Sequence, residues 1–252
     1  MTMYLSHLLI DVGANPDRPR PGRLWLRNVY RVHQRLCMAF PSKARKELDP
    51  DFLQPYVPGD LGKPDVHEKR TESSGFLFRI DPVPGGNPVI LVQSGNRPDW
   101  QYAFQNAQYL LAGPVPEPQS FAPQFAVGER FRFGLKANPV RHACKLSKHA
   151  SGAPIDPKWI GKRIPVPPES LGEWLMRHGE RSGFEVASIT TPIPGYVYFN
   201  KGQGEGQRLR SVLYEGVLCV KNPVPFANAV QSGIGRGKAF GFGLLSLARI
   251  SP

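Results

Sequence analysis

Tyr30 and His33 stand three residues apart in the stretch Arg27-Asn28-Val29-Tyr30-Arg31-Val32-His33-Gln34-Arg35-Leu36, and they are the pair best suited to proton chemistry. At ~100° per residue, Trp25, Val29, Val32, Leu36 and Phe40 form one apolar stripe, with Arg27, Arg31, Gln34 and Arg35 opposite. His33 falls on the flank of the stripe, and Tyr30 lies beside it toward the polar face. Such a helix is expected to pack on a core and to present an imidazole and a phenol together at the edge of a basic surface. Imidazole titrates near neutrality, so it gives or takes a proton there without special tuning. A phenol, with an ordinary pKa of about 10, is a poor base at that pH and serves better as a hydrogen-bond partner. The competing reading of the same residues is a histidine packed at a helix boundary, with no chemical task.

The composition bounds what such a pair could act on. In 252 residues, 40% hydrophobic, the chain has enough apolar material for one large or two small domains. Thirty-two Lys and Arg against 20 Asp and Glu leave a net charge of +12 and a pI near 9.8, pointing to a polyanionic partner, with nucleic acid ahead of an anionic membrane. No apolar run approaches the ~20 residues of a membrane span, and no signal-peptide pattern opens the sequence, so a cytoplasmic address and no membrane partner are expected. Cys37, Cys144 and Cys219 are odd in number and far apart, which fits neither a disulfide framework nor a Cys-x-x-Cys site. His142, Cys144 and His149 lie close together without zinc spacing and in a Lys-rich run; no metal is assigned.

The elements that must position the pair follow from pattern. Residues 3–12 read as a buried first strand, the 16–22 stretch as a Pro- and Arg-containing loop, and the helix above as one element ended by Pro41. Residues 42–70, rich in charge and proline, read as a long irregular insertion. Strands are expected at 76–80 and 88–94, joined through Gly85-Gly86-Asn87 as a hairpin, with a weakly patterned helix at 100–111. That order approximates a ferredoxin-like unit. Residues 113–123 carry Pro114, Pro116, Pro118 and Pro123 and read as an extended linker at a domain boundary, giving domains 1–117 and 118–252. A second series follows: strands at 130–135, 184–189, 211–220 and 242–250, with helices at 172–179 and 222–232.

Two further stretches carry one sign of charge. Arg141, His142, Lys145, Lys148 and His149, followed by Lys158, Lys162 and Arg163, have too few apolar neighbours to be core and read as a protruding basic arm suited to phosphate. Gly233-Ile234-Gly235-Arg236-Gly237-Lys238-Ala239-Phe240-Gly241-Phe242-Gly243 reads as a loop whose five glycines let backbone N–H groups approach a phosphate chain, with Arg236 and Lys238 adding charge. It is neither a Walker loop nor a dinucleotide fingerprint, because no Ser or Thr follows Gly-Lys and the helix precedes the loop. Residues 200–206 read as a mobile turn.

Five motifs run nearly end to end: Met3-Tyr4-Leu5-Ser6; Tyr30-Arg31-Val32-His33-Gln34 with Phe40-Pro41; Phe131-Arg132-Phe133-Gly134-Leu135-Lys136-Ala137-Asn138-Pro139; Tyr214-Glu215-Gly216-Val217-Leu218; and the terminal glycine loop with Gly241-Phe242-Gly243-Leu244-Leu245-Ser246-Leu247. In these the chain resembles the CasE (Cse3) family, the CRISPR-repeat endoribonuclease of type I-E Cascade. It departs from the family's compact pattern in the long 42–70 segment and the proline-rich linker. The resemblance implies an α+β protein of two tandem ferredoxin-like (RRM-like) domains, antiparallel sheets with helices on one face. It implies metal-independent cleavage at the base of the hairpin in CRISPR precursor RNA by attack of the 2′-OH, leaving a 2′,3′-cyclic phosphate and a 5′-OH. His33 would then be the general acid or base, Tyr30 an orienting group, and Arg27 the first of the arginines that offset phosphate charge. RNA contacts are expected from Arg23, Arg27, Lys136, Arg141, Lys145, Lys148, Lys162, Arg163, Arg236 and Lys238. Other Cascade subunits are expected as partners, with no metal and no small-molecule cofactor. The rival is a non-catalytic RNA-binding subunit of a ribonucleoprotein complex; an RRM-type aromatic signature for stacking bases is not evident in the sheets.

Overall fold

The computed structural model describes residues 2–15, 17–18, 20–54, 58–60, 63, 66–67, 75–144, 156–202 and 205–250. They divide into two compact units: Met1–Pro123 with Tyr198–Arg208 and Ala239–Gly241, and Gln124–Val197 with Leu209–Lys238 and Phe242–Pro252.

In the first unit, burial alternates along β1 (Met3–Leu9): Ser6 and Leu8 are buried, while His7 and Leu9 are exposed. The strand expected to be buried throughout is covered on one face only, as suits an antiparallel sheet with helices on one side. β1 is followed by α1 (Pro21–Leu26) and α2 (Val29–Cys37), which replace the single helix expected. Asn28 makes the break, because its extended backbone (φ −117°, ψ 90°) leaves its side chain free to accept from the Tyr30 N–H and cap α2. Val29, Val32 and Leu36 of the predicted stripe are 4%, 0% and 0% exposed, and each buried aliphatic of this kind contributes about 1.5–3 kcal/mol relative to exposure.

Within the stretch read as irregular, Lys43–Leu48 forms α3, capped by Ser42 and closed by a buried Arg45–Asp49 ion pair at 2.9 Å. Short-range charge and a capping serine thus outweighed the neighbouring prolines. β2 (Phe76–Asp81) and β3 (Val89–Ser94) form the expected hairpin, with Gly85 at φ 69° in its turn. α4 (Trp100–Phe104) is shorter than expected, a single turn capped by Asp99 and tied to the sheet by Trp100 Nε1–H donating to Ser6 Oγ at 2.8 Å. β4 (Gln119–Phe121) lies inside the proline-rich stretch read as linker and pairs with β1. Proline is tolerated at a sheet edge, where no partner needs its missing N–H. The sheet order is β2-β3-β1-β4.

In the second unit β5 (Arg130–Ala137) alternates as predicted, with Phe131, Phe133, Leu135 and Ala137 inward. β6 (Val140–His142) and β7 (Arg163–Pro165) form a separate two-stranded ribbon. Then come α5 (Leu171–Arg181), β8 (Phe184–Ile189), β9 (Ile193–Phe199), β10 (Gln207–Val220), α6 (Pro223–Ser232) and β11 (Leu245–Arg249), with the order β11-β5-β10-β8 and β9 paired to β10. β9 was missed because Pro194 and Gly195 interrupt its pattern, yet Val197 and Phe199 are buried and Tyr196 and Tyr198 exposed. Both sheets carry the strand order of a ferredoxin-like βαββαβ unit, so the chain is α+β with two such units. No described helix is long and apolar enough to cross a membrane.

α5 packs through Leu171, Trp174 and Leu175. His178 lies against Trp174 with ring centroids 4.0 Å apart and its Nδ1 donates to the Trp174 carbonyl at 2.8 Å. Burial holds this imidazole below its ordinary range, and the carbonyl bond only partly offsets that. Between the lowered folded value and about 6.5 for the unfolded chain, the unfolded state binds a proton that the folded state refuses. Stability is therefore full above that pH and falls on acidification toward the folded value. Thermal melts of wild type and His178→Gln between pH 8 and pH 5 should show the larger acid loss in the wild type; parallel curves would refute this account.

Candidate active site and nucleic-acid interface

The site in the first unit begins at Asn28. Its Oδ1, besides capping α2, accepts from the Asn200 N–H at 3.1 Å, and its Nδ2 donates to the Asn200 carbonyl at 2.9 Å. One side chain thereby starts the helix and clasps the turn at 200. This places the Lys201 ammonium 5.6 Å from the centre of the Tyr30 ring and 5.7 Å from that of Phe240, within cation–π range. Phe240 also packs on Phe199 at 4.4 Å and lies 6.3 Å from Tyr30. Gly241 then passes so close to Phe78 that an added Cβ would stand 3.3 Å from its ring. Tyr30 is half-buried and Lys201 exposed.

His33 sits one helical turn on from Tyr30, where i, i+3 side chains are neighbours. It is 8% exposed, stacked on Phe76 at 5.4 Å and Phe78 at 6.1 Å, with Nε2 3.6 Å from Cys37 Sγ. The imidazole expected at the edge of a basic surface is therefore set against the sheet instead. The reason is that Phe76 and Phe78 project from the same face of β2, a flat apolar wall that a flank position of α2 meets. Lys201 and Phe240 are the site residues that sequence reasoning missed. The turn at 200 was read as a mobile connection, and no local pattern ties Lys201 to a helix 170 residues earlier.

The other residues picked from sequence fall as follows. In the first unit the Arg23 guanidinium donates to the Val12 carbonyl at 2.8 Å and the Gly13 carbonyl at 3.4 Å, so it braces the loop after β1. Arg27, at the end of α1, is exposed. In the second unit Arg141 lies half-buried on β6, with Arg163 exposed opposite His142 on β7. Lys162 is exposed, its ammonium 5.5 Å over Trp159. Lys145 and Lys148 lie outside the described residues. Lys136 is half-buried near the end of β5, where its carbonyl accepts from the Gly243 N–H at 2.8 Å; Asn138 bridges to Arg236. In the glycine loop Arg236 is exposed and Lys238 half-buried in a 3-10 turn.

The five loop glycines all have positive φ, from 77° to 92°. An added Cβ at Gly237 would meet Phe242 at 2.8 Å, and one at Gly243 the Ile234 carbonyl at 2.8 Å. Backbone conformation and packing therefore account for all five, and the glycines cease to be an argument for phosphate. Only the two cations remain as one. Among the described residues no three His, Cys, Asp or Glu side chains gather to hold a metal.

With two ferredoxin-like units, and a phenol under an exposed ammonium one helical turn from an imidazole, in view, comparison with known proteins is decisive for the family. Residues 3–249 match the family described as CRISPR associated protein, and the chain belongs to it, with CasE (Cse3) proteins as its relatives. It is 32% identical over 178 residues to the CRISPR-associated endoribonuclease Cse3 of Thermus thermophilus, spanning 69% of this chain and 79% of that one. It is 28% identical over 252 residues to the CRISPR system Cascade subunit CasE of Escherichia coli, spanning 98% and 99%. A structure of Thermus thermophilus Cse3 bound to an RNA representing a pre-cleavage complex matches with a TM-score of 0.65 and 26% identity, over 98% of this chain and all of that one.

Proposed function

We propose that this chain is the endoribonuclease that processes CRISPR precursor RNA, binding the repeat hairpin and cutting at its base without a metal. The observation that carries the reading is the Lys201 ammonium over the Tyr30 ring, one helical turn from His33, in a chain that spans an RNA-bound endoribonuclease relative end to end. RNA brings its own nucleophile, so the protein needs in-line alignment, proton transfer and offset of the phosphate charge. The 2′-oxygen attacks phosphorus and loses its proton to water. The P–O5′ bond breaks, and His33 gives its proton to the departing 5′-oxygen. The products are a 2′,3′-cyclic phosphate and a 5′-OH. Tyr30 hydrogen-bonds to the phosphate or the 2′-OH, and Lys201 and Arg27 offset charge on the non-bridging oxygens.

The stem is gripped by the β6/β7 arm and by Arg236 and Lys238, because an A-form helix exposes phosphates and shape more than base edges. Assembly with other Cascade subunits belongs to the same proposal, supported by the subunit name of the Escherichia coli relative. The burial of His33 favours the rival, a non-catalytic RNA-binding subunit, in which that ring is only core. A labelled repeat hairpin incubated with the protein in EDTA separates them. Cleavage supports the enzyme, binding without cleavage supports the rival, and cleavage only after a divalent metal is added back defeats metal independence.

A further inference from the structure

Arg31, Gln34, Arg35 and Met38 follow one another at i, i+3, i+4 and i+7 and share one face of the α2 region, turned away from Val29, Val32 and Leu36. They border a cleft of about 450 Å³ in the first unit, walled by Trp25, Phe52 and Tyr109 and, among the described residues, lined by no Asp or Glu. Its size falls in the range of small-ligand sites. Gln34 is 5% exposed, and its amide makes no hydrogen bond with any described residue. A buried amide is ordinarily satisfied, so one that lines a cleft is a recognition group in waiting. The Arg35 guanidinium is fixed by the Ala103 carbonyl and Asn106 Oδ1, each at 3.0 Å, and lies 5.2 Å over Phe52. Arg31 is exposed, with no ion-pair partner among the described residues. Phe52 is the one described non-glycine residue with a positive φ, 52°, and strain of that kind gathers at ligand sites. Tyr109 lines the cleft with 63% of its surface still exposed.

An inorganic anion would leave the aromatic walls unused, and an apolar peptide would leave two guanidiniums and an amide unsatisfied. A nucleotide uses every group. Its base stacks on aromatic rings, its polar edge meets an amide that both donates and accepts, and its phosphate takes an arginine. We propose that this cleft holds one unpaired nucleotide of the RNA adjoining the stem, its base against Tyr109 and Trp25, its edge on Gln34 and its phosphate on Arg31. The inference rests on the reading that the chain binds hairpin RNA. Because Arg31 follows Tyr30 and Gln34 follows His33, the helix that carries the reacting groups also sets the register of the strand beside them.

The test uses the full chain and two repeat hairpins, one bare and one with a short single-stranded extension at its base. The wild type should bind the extended hairpin about tenfold more tightly than the bare one, as befits one stacked base. The double variant Arg31→Ala/Tyr109→Ala, both sites exposed, should bind the two alike, at the wild-type affinity for the bare hairpin. Gln34→Leu, which keeps the site filled, should erase any preference among bases at the nucleotide beside the stem. If the wild type binds the bare hairpin and the extension adds nothing to the affinity, the cleft assignment alone falls. If the bare hairpin is not bound at all, the functional reading falls with it. A double variant that keeps the extension's effect but loses a protein from the assembled complex reassigns the cleft to that protein.

Discussion

His33→Ala should slow cleavage of the repeat hairpin by about 10²–10⁴-fold, the range of general acid–base catalysis, while the Kd for uncleaved hairpin stays within about twofold. The alanine variant also removes a ring stacked on Phe76 and Phe78 and leaves a cavity, so it loses packing as well as a proton donor. His33→Phe separates the two effects. It keeps an aromatic ring against the β2 wall and carries no proton. Catalysis by His33 predicts that the phenylalanine variant melts near the wild type yet cleaves as poorly as the alanine variant, and that added imidazole partly rescues the alanine variant alone. Wild-type cleavage by His33→Phe would falsify the assignment, and His33 would then be a core residue of an RNA-binding scaffold. Lys201→Ala, from the same cluster but exposed, tests the geometry without that ambiguity: it should lower the rate on bound RNA with little change in melting.

Neutralising the ribbon should weaken hairpin binding by about 10–10²-fold at moderate salt and reduce the slope of log affinity against log salt by about two for two phosphate contacts. Lys162→Ala/Arg163→Ala is the variant to use, because both residues are exposed, whereas Arg141 is half-buried on β6. Each cation that meets a phosphate displaces condensed counterions, so the change in slope counts contacts independently of affinity. The rate of cleavage of saturated RNA should not move, since both residues, at and just before β7, belong to the second unit and neither touches Tyr30 or His33 in the proposed chemistry. A full loss of affinity with an unchanged slope would point to a collapsed ribbon in place of lost phosphate contacts.

The strands were legible where alternation is strict. Phe131, Phe133, Leu135 and Ala137 announce β5, and Gly85-Gly86-Asn87 announces the β2/β3 hairpin. The stripe through Val29, Val32 and Leu36 announced α2, but its start was hidden. Trp25 and Phe40 continue the period while Asn28, a cap, silently divides the helix. β4 and β9 escaped because proline reads as a breaker in one dimension, while a sheet edge tolerates it in three. The glycine loop was legible as a loop and misread in its cause: the clashes at Gly237 and Gly243 involve Phe242 and Ile234, contacts that exist only once the chain is folded.

What the residues decided by themselves is local: the amphipathic period of α2, the i, i+3 spacing of Tyr30 and His33, the alternation of the sheets and the excess of cationic side chains. These depend on neighbours within a turn or a strand, and they sufficed to single out the helix and its two candidate residues, Tyr30 and His33. Tertiary structure decided the surroundings of that pair. It turned His33 onto Phe76 and Phe78 and lowered Lys201 over Tyr30 through the Asn28–Asn200 clasp. It also gathered Trp25, Phe52 and Tyr109 around the outer face of the same helix. Each of those contacts joins segments far apart in sequence, and their pairing is chosen by shape and polar satisfaction across the whole unit, which no local period encodes.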